Sequence, residues 1–342
     1  PYVRFNGRGE IIILPLPYYT QIFIAIEKAL KPIKPFLNYE EQIKNLIERK
    51  GMVITDRKFA TSKLEDISYF ALIDGYKNLF YNPMTRKYRE GTTFEDIVAL
   101  YEFDEKLRAL IFQYLCHFEQ KMRSLISYHF CDTYSERQED YLDAAHYDNS
   151  GATKKKIAGL IAILDREAKK NTDHEYVVYQ RKTYGNVPMW VIMKTLTFGQ
   201  MSKMYSFLTT SMKTKISIHF EHVSEKELIQ YMKVLTLYRN VCAHNERLFS
   251  YKSRYDIPDT VLHKKMKLPQ NGNKYECGKN DLFSVVIAFR MLLSKDDFAE
   301  FKKSLNQIMN QYMKKTSNLS QDIFLKAMGF PENWKSISRY KL

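Results

Sequence analysis

The longest helical pattern in the chain is TTFEDIVALYEFDEKLRALIFQYLCHFEQKMRSLISYHF, residues 92–130. Its start, Thr92-Thr93-Phe94-Glu95, has the form of a capping box, in which a threonine and a glutamate satisfy backbone groups at a helix start. Apolar side chains then recur every three or four residues, at Leu100, Leu107, Ile111, Tyr114, Phe118, Met122 and Leu125. The segment is therefore predicted to form one long helix with a buried stripe.

Four charged residues of this segment are predicted to lie beside the apolar stripe. At ~100° per residue, a sector of about 100° contains Asp104, Arg108, Glu119 and Arg123. Two interpretations remain open. The residues form two surface ion pairs at i,i+4 spacing, or they support a functional site beside the core.

Helical periodicity also dominates the rest of the chain. Further helices are predicted at 18–31, 38–51, 61–80, 153–170, 282–328, and after a cap at Ser224. Strand-like alternation is almost absent, so the predicted class is all-α. Loops are predicted at 81–91, 171–186 and 251–280.

The predicted loop at 81–91 carries Arg86, Lys87 and Arg89 beside Tyr81 and Tyr88. Basic residues that alternate with aromatic ones can hold phosphates and stack bases. An ordinary exposed loop fits the same pattern equally well.

The composition favours a polyanionic partner. The 342 residues include 53 Lys and Arg against 39 Asp and Glu, a net charge of +14. This charge suits nucleic acid or an anionic membrane surface, although a solvated basic surface also accounts for it.

The four cysteines form no CxxC pair and no cluster with histidines, so neither a zinc site nor a disulfide framework is expected. An apolar run of about 18 residues and a secretory leader are both missing from the sequence. We therefore expect a cytoplasmic protein.

The segment Tyr238-Arg239-Asn240-Val241-Cys242-Ala243-His244-Asn245-Glu246-Arg247 concentrates polar chemistry late in a helical pattern. On a helix, one flank would carry Asn240, His244 and Arg247, at i, i+4 and i+7. Arg239 lies about 140° from His244 around the same axis, so the two share no face unless the helix frays or a second subunit adds its own copy. The spacing therefore indicates a dimeric site.

These residue types suit RNA cleavage without a metal ion, which needs proton transfer and cations around a phosphate that gains charge. His244 can exchange a proton near neutral pH. Arg239 and Arg247 carry permanent charges on forked groups. Asn240 can orient the imidazole or a phosphate oxygen. A structural hydrogen-bond cluster near a helix end is the alternative.

The residues from Arg239 to His244 resemble the R-x4-6-H motif of HEPN-domain ribonucleases, in the variant with Asn after the Arg. The surrounding chain, from about residue 34 to 338, resembles the Abi_2 family of bacterial abortive-infection proteins, the AbiD/AbiF-like group. The match follows family order through Tyr39-Glu40-Glu41-Gln42 with Arg49-Lys50-Gly51, Phe94-Glu95-Asp96-Ile97 with Phe103-Asp104 and Leu107-Arg108, Pro188-Met189-Trp190-Val191 with Phe198-Gly199, and Met328-Gly329-Phe330-Pro331 with Trp334.

The resemblance implies an all-α fold, namely a multi-helix HEPN-type helical domain with additional N- and C-terminal helices. We divide the chain into an N-terminal extension at 1–33, a helical core at 34–260 and a C-terminal helical region at 261–342. The resemblance does not cover the extension.

The resemblance also implies antiphage defence by a metal-independent endoribonuclease that needs no cofactor. By motif position, Arg239 and His244 take the catalytic roles, and Asn240 is the polar residue between them. HEPN proteins often place an acidic or polar residue of an earlier helix near this motif, and Glu119 or Asp104 would fill that role. The remaining candidates for RNA binding or site support are Arg247, Arg108, Arg123, Arg86, Lys87 and Arg89.

The expected partners are a target RNA, a small structured RNA that restrains the enzyme, and a second copy of the chain. Membrane association is not expected. The alternative function is a non-catalytic RNA-binding scaffold or sensor, in which the motif grips phosphate.

Overall fold

The computed structural model describes residues 3–5, 11–13, 34–148, 150–169, 173–316 and 318–342. The helix predicted at 18–31 lies outside these residues. Within them the protein is all-α, as predicted, with short antiparallel hairpins as its only sheets.

The α-helices that the structure describes are α1 (Tyr39–Lys44), α2 (Arg57–Ile67), α3 (Phe94–Thr133), α4 (Gln138–Leu142), α5 (Lys154–Lys169), α6 (Glu175–Tyr184), α7 (Met189–Ile192), α8 (Phe198–Phe207), α9 (Thr210–Ser217), α10 (Glu225–Ala243), α11 (Val261–Lys265), α12 (Leu282–Leu292), α13 (Lys295–Lys315) and α14 (Gln321–Ala327). The hairpins pair β1 (Val3–Phe5) with β2 (Ile11–Ile13), β3 (Tyr81–Asn82) with β4 (Lys87–Tyr88), and β5 (Gln270–Asn271) with β6 (Lys274–Tyr275). Shorter π-helical and 3₁₀ segments are Asn45–Arg49, Phe70–Asp74, Lys77–Leu79, Ala144–His146, Gly151–Thr153 and Trp334–Arg339.

Helix α3 is the axis of the fold. Its 40 residues correspond to a length of ~60 Å at 1.5 Å per residue. Helices α13 and α10 pack along it, and so do α7 and α9. Of the seven predicted stripe residues, six are buried, and Leu125 is partly buried. The apolar periodicity therefore located the centre of the core.

The cap of α3 lies one residue later than predicted. The hydroxyl of Thr93 accepts a hydrogen bond from the Asp96 backbone, and the Asp96 carboxylate accepts one from the Thr93 backbone. The Thr92 carbonyl instead accepts a hydrogen bond from the Val53 backbone at 2.9 Å. This contact belongs to a parallel bridge between Val53 and Thr93, which keeps Thr92 outside the helix.

Several other helix starts are confirmed. Asn38 caps α1 in a capping box with Glu41, and Ser224 caps α10 in another with Glu227. Gly51, at φ +71°, follows the first helical segment, as predicted. The helices predicted at 153–170 and 282–328 are confirmed as α5 and as α12, α13 and α14.

Four predicted boundaries are wrong. The helix predicted at 61–80 is broken after Ile67, because Ser68 has φ +72° and cannot continue it. The predicted loop at 171–186 contains α6, which buries only Val177 and so has no apolar stripe. The loops predicted at 81–91 and 251–280 contain β3–β4, and α11 with β5–β6, respectively. No helix in the described ranges is long and apolar enough to cross a lipid bilayer.

Candidate active site at the end of helix α10

The R-x4-H segment lies at the C-terminal end of α10. The helix ends at Ala243, and the His244 backbone N–H still donates to the Asn240 carbonyl at 2.9 Å. Asn245 has φ +55°, a left-handed conformation that asparagine tolerates better than most residues, and it turns the chain away from the helix axis. Arg247 is therefore not on the helix, and the predicted flank of Asn240, His244 and Arg247 is wrong for its third member.

Arg247 has a structural contact instead. Its guanidinium Nη1 donates to the Gly75 carbonyl at 2.6 Å, which connects the segment after the motif to the segment that follows α2. A charge-assisted hydrogen bond of this kind stabilises the turn, and the side chain is half-buried. Arg247 thus positions the end of α10.

Asp104 is fully buried, and four donors surround its carboxylate. Oδ2 accepts from the Leu248 backbone at 2.9 Å, from the Tyr76 hydroxyl at 2.7 Å and from Arg108 Nη1 at 2.7 Å. Oδ1 accepts from the Phe249 backbone at 2.7 Å. Burial raises the pKa of the Asp104 carboxyl, and these hydrogen bonds oppose that effect because they stabilise the charged form. One side chain of α3 therefore fixes the chain that follows the motif.

Arg108 completes this buried network. Its Nη1 also donates to the Tyr76 hydroxyl at 3.0 Å and to the Glu246 carbonyl at 3.4 Å. Burial acts to lower the pKa of Arg108, but the charge of Asp104 and the neighbouring Tyr76 and Tyr101 together raise it. The interpretation of Asp104 and Arg108 as a surface ion pair is therefore wrong.

Glu119 and Arg123 form the second ion pair, one turn apart on α3. Glu119 is buried, and Arg123 is half-buried and donates from Nη2 to the Leu196 carbonyl at 2.7 Å. The surface interpretation is wrong for this pair also. The pair anchors the chain after α7 to α3, and Arg123 Nε is buried without a partner in the described residues.

The side chain of Arg239, on α10, packs against α3. Its guanidinium carbon lies 5.6 Å from the centre of the Phe112 ring, a cation–π contact. Burial raises the pKa of the Cys116 thiol, the charge of Glu119 adds to this effect, and the charges of Arg239 and Arg123 oppose it. Cys116 therefore lies within electrostatic range of all three. Within the described residues, Arg239 forms no ion pair and its buried Nε has no hydrogen-bond partner.

His244 and Asn240 are exposed at the end of α10, and no hydrogen bond to either side chain is found in the part of the chain that the structure describes. Helix geometry places the Cα atoms of Arg239 and His244 about 9 Å apart and turned by about 140°. The imidazole therefore faces solvent, whereas the guanidinium lies against α3. The structure brings Arg239 to the Cys116–Glu119–Arg123 face of α3 and leaves His244 outside it.

A cleft of about 490 Å³ continues from Arg123 along the same face of α3. Trp190, Lys194 and Tyr128 also line this cleft. The side chains of Trp190 and Tyr128 remain 52% and 66% exposed, which is unusual for large aromatic residues. Sequence reasoning missed these residues because Trp190 stands in an apolar run that predicts burial.

The basic hairpin at 81–91 has a different environment. Arg86, Lys87 and Arg89 are exposed. The Tyr81 and Tyr88 rings pack edge to face at 5.4 Å, and Tyr88 is buried, so Tyr88 is unavailable for base stacking. Among the described residues, no hydrogen bond or ion pair links the three cations to α10. The structure therefore does not join them to the R-x4-H segment.

No group of three or more His, Cys, Asp and Glu side chains suited to a metal ion was found in the described ranges. Comparison with curated proteins found no match. Comparison with solved structures also found none.

A family model described as "Abi-like protein" matches residues 62–250. This range covers more than half of the chain, from α2 through α3 and α10 to the turn that Asp104 holds. The chain therefore belongs to the Abi-like protein family, the bacterial abortive-infection proteins.

Proposed function

We propose that this protein is a metal-independent endoribonuclease that cuts RNA during abortive infection. The observation that carries the proposal is that one helix end holds both an exposed His244 and an Arg239, neither of which has a hydrogen-bond or ion-pair partner among the described side chains. The buried Asp104 network holds that end in place. An unpaired, half-buried arginine is costly for stability, and a phosphate would compensate for that cost.

The proposed reaction is an internal transfer at phosphorus. A base removes the proton of the ribose 2′-OH, the 2′-oxygen bonds to phosphorus, and the 5′-oxygen leaves with a proton from an acid. The products are a 2′,3′-cyclic phosphate and a 5′-hydroxyl. We assign the proton transfers to His244, the developing phosphorane charge to Arg239, and orientation of a phosphate oxygen to Asn240.

A second copy of the chain would complete this site. Arg239 and His244 of one copy point in directions about 140° apart, so a single copy does not place both on one phosphate. Two α10 helices meeting at their C-terminal ends would place the histidine of one copy beside the arginine of the other. The active species is therefore a homodimer in this proposal.

Mixed dimers test the shared site. We expect Arg239→Ala and His244→Ala homodimers each to be inactive. A heterodimer of the two variants, purified by two different tags, should regain about half of the wild-type cleavage rate, because one site keeps an intact Arg239 and an intact His244 from opposite copies. A heterodimer as inactive as its parents would place both residues in one copy and contradict the shared site.

The cleft beside Arg123 would hold the RNA strand next to the cut. Arg123 and Lys194 provide positive charge, and Trp190 and Tyr128 offer exposed rings. Lys194 also lies over the Tyr176 ring, 5.6 Å from its centre. Cations beside exposed rings bind single-stranded RNA without reading its sequence.

We expect Trp190→Ala to weaken single-stranded RNA binding by about 5- to 150-fold, since stacking on one base contributes about 1–3 kcal/mol. Fluorescence anisotropy with a labelled RNA measures this change. Phe36→Ala is the matched control, because Phe36 is an aromatic residue that is 89% exposed elsewhere. If the two variants bind RNA with equal affinity, the cleft does not contact the RNA strand.

The proposal includes restraint by a small structured RNA. The net charge of +14 supports a polyanionic partner, and the family resemblance supports an RNA that blocks the enzyme. We expect nucleic acid to co-purify with the protein. Ribonuclease treatment should remove this nucleic acid, and its removal should raise the cleavage rate.

A non-catalytic RNA-binding scaffold is the second candidate. The divergence of Arg239 and His244 within one copy favours it, because a lone arginine grips phosphate without proton transfer. Tight RNA retention by wild-type homodimers with no cleavage would support this candidate. Cleavage that persists in EDTA supports the endoribonuclease, and loss of cleavage on chelation contradicts the metal-independent mechanism.

A further inference from the structure

A second charged pocket lies on the other side of α3. It has a volume of about 770 Å³ and forms where the C-terminal region meets α3 and the turn between α9 and α10. We call it the basic pocket, after the cations that line it: Lys121, Arg290, Lys295, Arg339 and Lys341. Lys121 lies about 140° around α3 from Cys116, so α3 separates this pocket from Arg239.

The five cations of the basic pocket lack acidic partners in the part of the chain that the structure describes. None of the five takes part in an ion pair with another described residue. Glu221 is the one acidic side chain among the lining residues, and Asp297 lies within electrostatic range of Lys121. Positive charge therefore predominates in a partly enclosed space.

Arg290 is the charged residue closest to the protein interior here. It is the only charged side chain of α12, whose other residues are buried. Its Nη2 donates to the Tyr340 carbonyl at 3.4 Å, its guanidinium lies over the Phe298 ring, and its Nε is buried with no partner in the described chain. The C-terminal end of α12 stabilises the cation in part, but it does not satisfy that donor.

The positive charges of the pocket also affect Lys302, which donates to the hydroxyl of the lining residue Ser338 at 3.0 Å. Burial lowers the pKa of Lys302, and the charges of Arg339 and Arg290 lower it further. Burial also lowers the pKa of Lys121. Cations that repel one another in this way gain stability when a multivalent anion binds among them.

We propose that the basic pocket binds the triphosphate group of a nucleotide, either free or at the 5′ end of an RNA. Its volume falls within the range of small-molecule sites, about 300–1,000 Å³, whereas the middle of an RNA strand needs an open groove. Arginine forks and lysine ammonium groups are the side chains that proteins use for phosphates. The site is separate from the proposed cleavage site and does not depend on cleavage.

Calorimetric titration of the full chain with inorganic triphosphate tests the site. We expect the double variant Lys121→Ala, Arg339→Ala to bind at least tenfold more weakly than wild type, and Lys295→Ala, Lys341→Ala to weaken binding in the same direction. Lys303→Ala is the matched control, because Lys303 is an exposed lysine next to Lys302 that does not line the pocket. The four mutated pocket residues are exposed, so unchanged thermal unfolding is expected for each variant.

Wild-type protein that does not bind triphosphate, or double variants that bind as tightly as the control, would overturn the proposal. Competition experiments distinguish the two sources of the triphosphate group, a free nucleotide and the 5′ end of an RNA. Displacement by an RNA with a 5′-triphosphate, but not by the same RNA with a 5′-hydroxyl, assigns the pocket to an RNA end. Displacement by ATP alone assigns it to a free nucleotide. If neither the RNA nor ATP displaces the bound triphosphate, the assignment to a nucleotide is wrong. A His244→Ala protein should bind triphosphate normally, so the result is independent of ribonuclease activity.

Discussion

His244→Ala is expected to reduce the rate of RNA cleavage by about 10²- to 10⁴-fold, the usual contribution of a positioned acid or base. The exposed imidazole makes no contact that the fold needs in the described structure, so stability should change little. Single-turnover cleavage of a labelled RNA by the purified protein measures the chemical step, and a binding assay on the same samples separates that step from affinity.

His117→Ala is the matched control for this variant. His117 is an exposed histidine of α3, and its Nδ1 lies 4.0 Å from Asp297 in a weak surface contact. Its removal should leave the cleavage rate unchanged. Equal cleavage by wild-type protein and His244→Ala would show that the assigned residue is wrong, and a scaffold that binds RNA would then be the better account.

Asp104→Ala is expected to lower the free energy of unfolding by about 3–5 kcal/mol, because it leaves a buried Arg108 without its counter-charge. The Leu248 and Phe249 backbone N–H groups lose their acceptor at the same time. Asp104→Asn keeps the side-chain shape and one acceptor oxygen, so its loss should be smaller. Urea unfolding, followed by circular dichroism, measures both variants.

Glu105→Ala is the control, since Glu105 is the next residue on α3, carries the same charge and is exposed. Its effect should stay within about 0.5 kcal/mol. An Asp104→Ala protein as stable as this control would mean that the buried network does not hold the end of α10. The turn at Asn245 would then need another explanation.

Asp104 and Glu119, the two acidic residues predicted to support the motif, differ in their contacts with it. The Asp104 carboxylate accepts hydrogen bonds directly from the backbone after the motif, whereas Glu119 pairs with Arg123 and acts on the same thiol, Cys116, as Arg239 does. Asp104 is therefore a positioning residue. A supporting role for Glu119 beside the motif stays a prediction.

Local patterns in the sequence were sufficient for the main helices. Apolar residues at intervals of three and four located α3, and Ser224 with Glu227 marked the start of α10, because both signals act within one or two helical turns. The cap of α3 was misplaced by one residue because the backbone N–H of Val53, about 40 positions earlier in the chain, donates to the Thr92 carbonyl. That contact leaves no local signature.

The sequence by itself determined that the chain is all-α, that α3 and α10 are its principal helices, and that Arg239 and His244 lie on different faces of one of them. Helical periodicity decides these features because they depend on neighbours three to seven positions away. The tertiary structure decided the environment of each charge. Asp104 meets Leu248 and Phe249, and Arg247 meets Gly75, across separations of more than 140 residues. Whether an ion pair is buried depends on which distant helix covers it, and helical spacing carries no information about that.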